Sequence, residues 1–379
     1  MPQTSPLLEP RAAWIGAELE RSGDWIRVLD DGHRQELANA LAHLQRKSRD
    51  VPDFTREDFP LPRTAALLAD IAEELENGRG AVRLRGLDVA RFTEHELRHL
   101  FWGIGCHLGI PLYQNANGEI IGEVRDESAI AQKTYAPVEP GKVASSRSRT
   151  RGTGPLRWHT DRCDVIALLC ARNAMSGGVS KLASIVTIYN EIQRRRPDLF
   201  ELLCQDYWRS RPKDEDGTGV DRAFALPVFS VLDGKLTCQY SRTYVEQAQE
   251  FAEVPRLTAA QNEALDLLAA VAEETCLYSS FEPGDIQLLN NHVIFHGRTA
   301  YEDDAGAQRD RLLLRLWLAV PNSRRLPAGQ EILWGSTQPG AVRGGVVQPV
   351  TGARAVRPTD QPPVAAAPPS NPLPQGVAA

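Results

Sequence analysis

No stretch of this chain stays apolar for the roughly 20 residues that a membrane-spanning helix needs. The opening MPQTSPLLEPRAAW also lacks the basic-then-apolar layout of a secretory signal, so the expectation is a cytoplasmic protein with no membrane partner. Six cysteines (Cys106, Cys163, Cys170, Cys204, Cys238, Cys276) are scattered without a C-x-x-C pair. That argues against a disulfide framework or a thiolate zinc site and for reduced, mostly buried thiols, with Cys163 singled out by its position beside a motif described below. Basic residues are not in excess: 43 Lys and Arg stand against 49 Asp and Glu, a formal charge of -6. Affinity for phosphate is built from clustered cations, so no nucleic-acid partner is expected. No internal repeat is found.

What is present is an ordinary globular composition, 42% hydrophobic and 24% charged over 379 residues, enough for two domains or one elaborated barrel or sandwich. Residues 1–80 read as a helical N-terminal extension, as in RTAALLADIAEELENG with apolar residues at three- and four-residue intervals. AVRLRGL from position 81 alternates like a strand, and Thr93 with Glu96 forms a capping box that opens a helix through HELRHLFWGIGCHLG. PLYQN, EIIGEVRD, DVIALLCAR, KLASIV, FEPGDIQLLNNHVIFHGR and RLLLRLWLAV are strand-like, Asp233-Gly234 marks a hairpin, and Thr258 with Gln261 caps a further helix. Residues 127–157 form a long loop rich in Ser, Arg, Gly and Pro. Residues 336–379 form a Pro- and Ala-rich tail, expected to be flexible or draped over the surface.

The stretch RWHTDRCD puts His159 two positions before Asp161, and in a strand these side chains project from one face. Alone, H-x-D is common by chance, and a solvated pair or a histidine oriented by an acid explains it. Downstream, His296 ends the strand-like VIFH. Two imidazoles and one carboxylate on one face of an octahedral ion leave the other face open, as in non-haem Fe(II) oxygenases. RLLLRLWL then carries Arg311, Leu313, Arg315 and Trp317 on one face and Leu312, Leu314, Leu316 and Leu318 on the other. Guanidiniums held this way suit a dicarboxylate.

This ordered set, with SGG-x-S (Ser176 to Ser180) between its parts, resembles the TauD/TfdA family of Fe(II)- and 2-oxoglutarate-dependent oxygenases, including relatives of the clavaminate synthase type, over about Ala81 to Pro321. The resemblance implies an α+β protein with a mainly β core. That core would be a double-stranded β-helix, or jelly roll, over 81–335, behind the helical extension. It implies that His159, Asp161 and His296 hold the iron and that Arg311 grips the distal carboxylate of 2-oxoglutarate. Arg315 is the second family arginine, near the co-substrate or substrate carboxylates, and Ser180 stands where many members carry threonine, its hydroxyl assisting Arg311. It further implies Fe(II), 2-oxoglutarate and O2 as cofactor and co-substrates, with succinate and carbon dioxide released as a C–H bond is oxidised. Halogenating relatives replace the carboxylate that Asp161 retains, so halogenation is disfavoured.

Other candidates divide between functional and structural readings. His292 is expected to be structural, and His95, His99 and His107 surface or packed residues of a helix with no metal role. Gln114 is read as a substrate contact or as part of a turn, and Arg242 as a substrate-carboxylate contact or an ion-pair partner. Arg157, with Arg147, Arg149, Arg151 and Arg162, belongs to a basic segment that is either a lid over an anionic substrate or a solvated loop, Arg157 being taken as substrate-binding. The expected activity is hydroxylation of a small polar molecule, an amino acid or amino-acid-derived metabolite. Alternatives are desaturation, cyclisation or epoxidation, oxidation of a sulfonate or aryloxyalkanoate, a non-catalytic metal-binding sensor, or a zinc hydrolase. The sequence assigns no oligomeric state.

Overall fold

The strand Leu312–Ala319 is apolar on both faces, and both are covered. Leu312, Leu314, Leu316 and Leu318 enter a cluster with Leu97, Leu100 and Ile104 of the helix Glu94–Leu108, whereas Leu313 and Trp317 turn to the opposite side. The strand Val165–Arg172 repeats the pattern: Val165, Ala167 and Leu169 join the helix-side cluster, and Ile166 and Leu168 line a cavity on the other side. Strands buried on both faces read as near-continuous apolar runs, which is why DVIALLCAR and RLLLRLWLAV were recognisable.

The computed structural model describes residues 8–127, 151–211, 222–304 and 310–356. Its larger sheet runs in the order Ile26–Val28, Ala81–Arg85, Ile286–Asn290, Val165–Arg172, Leu312–Ala319, Ile110–Pro111, with Gly122–Val124 also paired to Leu312–Ala319. Its smaller sheet runs Leu277–Ser279, Ser180–Ser184, Ile294–Arg298, Leu156–His159, all antiparallel. Side chains of both sheets line one cavity between them, the arrangement of a jelly roll. The helices Asp31–Arg46, Thr64–Asn77 and Glu94–Leu108 cover the outer face of the larger sheet, and the helices Ile185–Arg195 and Ala259–Thr275 pack against Ser180–Ser184. Both expected capping boxes form, Thr93 with Glu96 and Thr258 with Gln261.

The structure redraws two boundaries. The N-terminal region is not only helical: Ile26–Val28 is a strand that pairs in parallel with Ala81–Arg85 and extends the larger sheet, while Trp14, Leu19 and Trp25 belong to the main core. Three residues are too few for alternation to register. Nor is the tail free from residue 336 onward. Within 336–356, Arg343 and Val346 are buried, the Val346 N–H donates to the Tyr113 carbonyl at 2.8 Å, and Ala355 bridges Leu112. Composition undercounts this segment because what fixes it is an ion pair: Arg343 Nε donates to Asp164 Oδ1 at 2.8 Å. Residues 357–379 of the expected tail lie outside the described residues, as do residues 128–150 of the long loop, including Arg147 and Arg149 and the expected lid.

Asp164 is fully buried, and burial alone would raise its pKa, but Arg343 and then His292 outweigh it and keep the carboxylate ionised. His292 Nε2 lies 2.9 Å from Asp164 Oδ1, so this histidine is structural, as expected. Burial drives its pKa down to about 4, the Asp164 bond opposing. Arg343→Ala leaves a buried carboxylate short of its cation and is expected to cost about 3 kcal/mol or more in urea unfolding; a loss below about 1 kcal/mol would contradict this account. The unfolded chain binds the His292 proton more readily, so the contribution of neutral His292 is complete above pH 6.5 and declines towards pH 4. Unfolding curves collected across that window should show stability rising with pH, less steeply in His292→Gln.

Candidate active site

His159 and His296 are direct cross-strand neighbours where Leu156–His159 pairs with Ile294–Arg298, and their rings stand 4.2 Å apart between centroids. Asp161, just beyond the strand end, turns back towards both: Oδ1 is 3.9 Å from His159 Nε2 and Oδ2 is 3.8 Å from His296 Nε2. The three ligand atoms all lie within 4.8 Å of one another. His159 Nδ1 is 2.8 Å from the Arg157 carbonyl, which fixes the proton on Nδ1 and leaves the Nε2 lone pair free. Burial lowers the His296 pKa to about 3, aided by His159 and Arg315 against the pull of Asp161; the imidazole is neutral at pH 7 and can donate a lone pair. Burial would raise the Asp161 pKa, but Arg315, the two histidines and the Trp317 N–H together hold it below the ordinary carboxylate value.

Two residues that the sequence reading did not assign hold Asp161 in place, one at its carboxylate and one at its backbone. Trp317 Nε1 donates to Asp161 Oδ2 at 3.0 Å, and the Asp161 N–H donates to Asn291 Oδ1 at 2.9 Å. A signal for Trp317 was available, because it shares a strand face with Arg311 and Arg315. Asn291 had none beyond adjacency to His292. Cys163, to which Asn291 also donates, is buried, and burial holds its thiol far above the ordinary value, which makes it inert.

Beside the triad, between the two sheets, a cavity ends at two buried guanidiniums, Arg311 and Arg298. Among the described residues Arg311 Nη1 and Arg298 Nε and Nη1 find no hydrogen-bond partner, while Arg298 Nη2 donates to the Gly152 and Gly154 carbonyls at 2.8 and 2.6 Å; the Tyr301 ring lies 5.2 Å from Arg311 Cζ and 4.6 Å from Arg298 Cζ. Burial lowers the pKa of both, that of Arg298 to about 10 with Arg311 repelling it. Buried cations with unanswered donors fit an anion, as the distal carboxylate of a keto-diacid would be. The SGG turn makes room for this: a Cβ on Gly178, at φ +65°, would lie 3.0 Å from Arg311 Nε, and one on Gly177, at φ +73°, 2.2 Å from the Ala300 carbonyl oxygen. Arg298 was missed, although it follows His296 by two in a strand. Ser180 lines the same cavity, but its hydroxyl bonds the Gln287 amide at 3.2 Å, and Gln287 in turn accepts from Arg83 at 2.7 Å. The expected assistance to Arg311 is therefore replaced by a bond to Gln287.

Arg315 borders both this inner cavity and a wider outer one above the triad. Its Nε donates to Gln114 Oε1 at 2.6 Å, while Gln114 Nε2 donates to the carbonyls of Ile120 and Arg315 at 2.9 Å. Gln114 thus lines the outer cavity and fixes Arg315. The outer wall also includes Thr160, Arg162, Ser241, Tyr244, Leu333 and Val346, the last from the segment read as tail. Arg157 and Arg242 do not belong to it. Both are engaged by Glu246, Arg157 at 2.7 and 2.9 Å and Arg242 at 3.0 Å, and Arg242 also meets Asp266 at 3.2 Å. Both, expected as substrate contacts, stand outside that wall and are held by a carboxylate on the helix Arg242–Ala248.

A family model described as "Taurine catabolism dioxygenase TauD, TfdA family" matches residues 45–317. Among curated proteins, "FR-33289 synthase" of Streptomyces rubellomurinus is 32% identical over 328 residues, 84% of this chain and 91% of the relative. "Taurine hydroxylase-like protein SAT17" of Stachybotrys chartarum is 30% identical over 314 residues, 82% of this chain and 79% of the relative. Among solved structures, asparagine oxygenase in complex with Fe(II), 2S,3S-3-hydroxyasparagine and succinate superposes with a TM-score of 0.58 at 19% identity, over 78% of this chain and 93% of that one. The non-heme iron oxygenase OrfP in complex with Fe and alpha-ketoglutaric acid gives 0.56 at 16% identity, over 77% and 93%. These structures share the fold.

Trp317→Phe keeps the ring and removes only the N–H that orients Asp161. Fe(II) affinity, measured by anaerobic titration, is expected to fall about 10- to 100-fold, with little change in unfolding midpoint; unchanged affinity would show that the indole does not orient the carboxylate.

Proposed function

The chain belongs to the TauD, TfdA family of dioxygenases, enzymes that use Fe(II), 2-oxoglutarate and O2, and from that premise we propose that His159, Asp161 and His296 hold the ferrous ion while Arg311 and Arg298 receive the distal carboxylate of 2-oxoglutarate. The observation that carries the assignment is the meeting of two imidazole Nε2 atoms and one carboxylate beside buried guanidinium donors without partners. Bound together, iron, 2-oxoglutarate and O2 supply an oxidant that removes hydrogen from a C–H bond and leave succinate and carbon dioxide. The protein's own side chains bind and aim. Neutral His296 and ionised Asp161 present lone pairs without first shedding protons. Trp317 keeps the Asp161 carboxylate from rotating away, and Asn291 fixes the backbone that carries it. Ile166, Leu168, Leu313 and Phe281 wall the inner cavity and exclude water from the co-substrate.

For the substrate we propose an amino acid or amino-acid-derived metabolite, hydroxylated at an unactivated carbon. Two observations support this. The wall of the outer cavity carries both signs of charge, Glu119 and Glu123 with Arg151, Arg162 and Arg315, which suits a zwitterion, although Glu119 is paired with Arg151 and Glu123 with Arg98 and Arg125. Two solved relatives carry hydroxylated amino acids, 3-hydroxyasparagine in asparagine oxygenase and (3S)-hydroxy-L-Arg in OrfP.

Anaerobic addition of Fe(II) and 2-oxoglutarate should produce a weak visible charge-transfer band that is absent from Asp161→Ala and His296→Ala. Arg311→Ala should retain Fe(II) but raise the 2-oxoglutarate concentration needed for the band on the order of a hundredfold, the effect of removing one partner of a buried charge pair. A band that survives in Asp161→Ala would overturn the iron assignment. Succinate release across amino acids, their N-acyl derivatives and sulfonates then identifies the substrate class, and release with sulfonates alone would replace the amino-acid reading.

A further inference from the structure

A second cluster of side chains, far from the triad, has the spacing of a metal centre. His95 and His99 lie four residues apart on the first turns of the helix Glu94–Leu108 and so share one of its faces; their rings are 4.4 Å apart between centroids. Asp50, from the turn that follows the helix Asp31–Arg46, brings Oδ1 to 3.0 Å from His99 Nε2 and 4.0 Å from His95 Nε2. All three ligand atoms lie within 4.8 Å of one another. Ligand atoms around a tetrahedral ion with bonds of about 2.0–2.1 Å are separated by about 3.3 Å, so Asp50 and His99 already stand near that spacing, and exposed His95 needs only a small rotation.

The geometry orients these atoms towards one point. His99 Nδ1 is 2.8 Å from the His95 carbonyl, which turns Nε2 towards Asp50 Oδ1. That oxygen is itself fixed by the Val51 N–H, which donates to it at 2.7 Å. The His99 ring cannot turn away, because it is buried and stacked on Phe54 at 5.8 Å with planes 7° apart.

We propose that Asp50, His95 and His99 bind a divalent transition ion of the zinc class, water completing the coordination. The ion clips the 47–63 connector to the helix. Because that helix packs on the leucine face of Leu312–Ala319, opposite Arg315 and Trp317, the clip is structural and independent of turnover. It escapes sequence reading because Asp50 lies far upstream of the helical pair.

The test uses the full chain carrying Asp161→Ala and His296→Ala, titrated with Co(II) by visible absorption and with Zn(II) by calorimetry. One equivalent of either ion is expected to bind and raise the melting temperature. Adding His95→Ala, an exposed position, should abolish that equivalent and the thermal shift, and Asp50→Asn should do the same, while the metal-free melting temperature stays unchanged. In the chain with an intact triad, His95→Ala should leave succinate release unaltered. Absence of the equivalent, or its persistence undiminished in His95→Ala, overturns the proposal.

Discussion

The pairing of Leu156–His159 with Ile294–Arg298 sets His159 opposite His296, and the rest of the site depends on that register. A slip of one residue in either strand would send one imidazole to the other face of the sheet. The register is held from several sides. Ile294–Arg298 is also paired along its whole length with Ser180–Ser184, and the Asp161 N–H is bonded to Asn291 in the turn that leads into the same strand. The short bend from His159 to Asp161 therefore closes against the turn of its partner strand, and two imidazoles far apart in sequence meet at one point.

Buried charge is handled in two ways. Asp164 is answered by Arg343 and His292, and Glu76 by Arg324 at 3.0 Å; these pairs tie the N-terminal helices and the segment 336–356 to the sheets. Arg298 and Arg311 differ. Both line the inner cavity and repel each other, and although Arg298 Nη2 donates to the Gly152 and Gly154 carbonyls, other donors of the pair have no partner among the described residues, which is why an anion is proposed for them. Stabilisation by an anionic co-substrate follows from mass action on such a site.

Much of the site was legible in the sequence because its residues sit in strands, as His159, His296 and Arg315 do, or directly flank them, as Asp161 and Arg311 do, and a period of two groups side chains by face. His159 with Asp161, and Arg311 with Arg315 and Trp317, were grouped on that rule alone. The same rule applied to Arg298 two places after His296 would have added it. Arginine-rich composition was a poorer guide: Arg157 and Arg242 carry the right charge, yet Glu246 holds both; the Arg242 pair has the i,i+4 spacing that local sequence can show, whereas the partner of Arg157 lies 89 residues away and leaves no mark there. The strand Ile26–Val28 and the packing of 336–356 were missed for a related reason, since both are defined by what they pair with.

By itself the sequence determined the local terms: strand faces, helix caps, turn glycines such as Gly177 and Gly178, and the donor chemistry of two imidazoles, a carboxylate and paired guanidiniums. Tertiary structure decided the distances. Whether a carboxylate is oriented by an indole, whether a guanidinium is satisfied or left open, and whether Asp50 faces His99 all depend on which remote segments are brought within about 3 Å. Propensity and periodicity act over a few neighbouring residues, whereas hydrogen bonds and burial act across the fold, and only the packed chain brings such partners together.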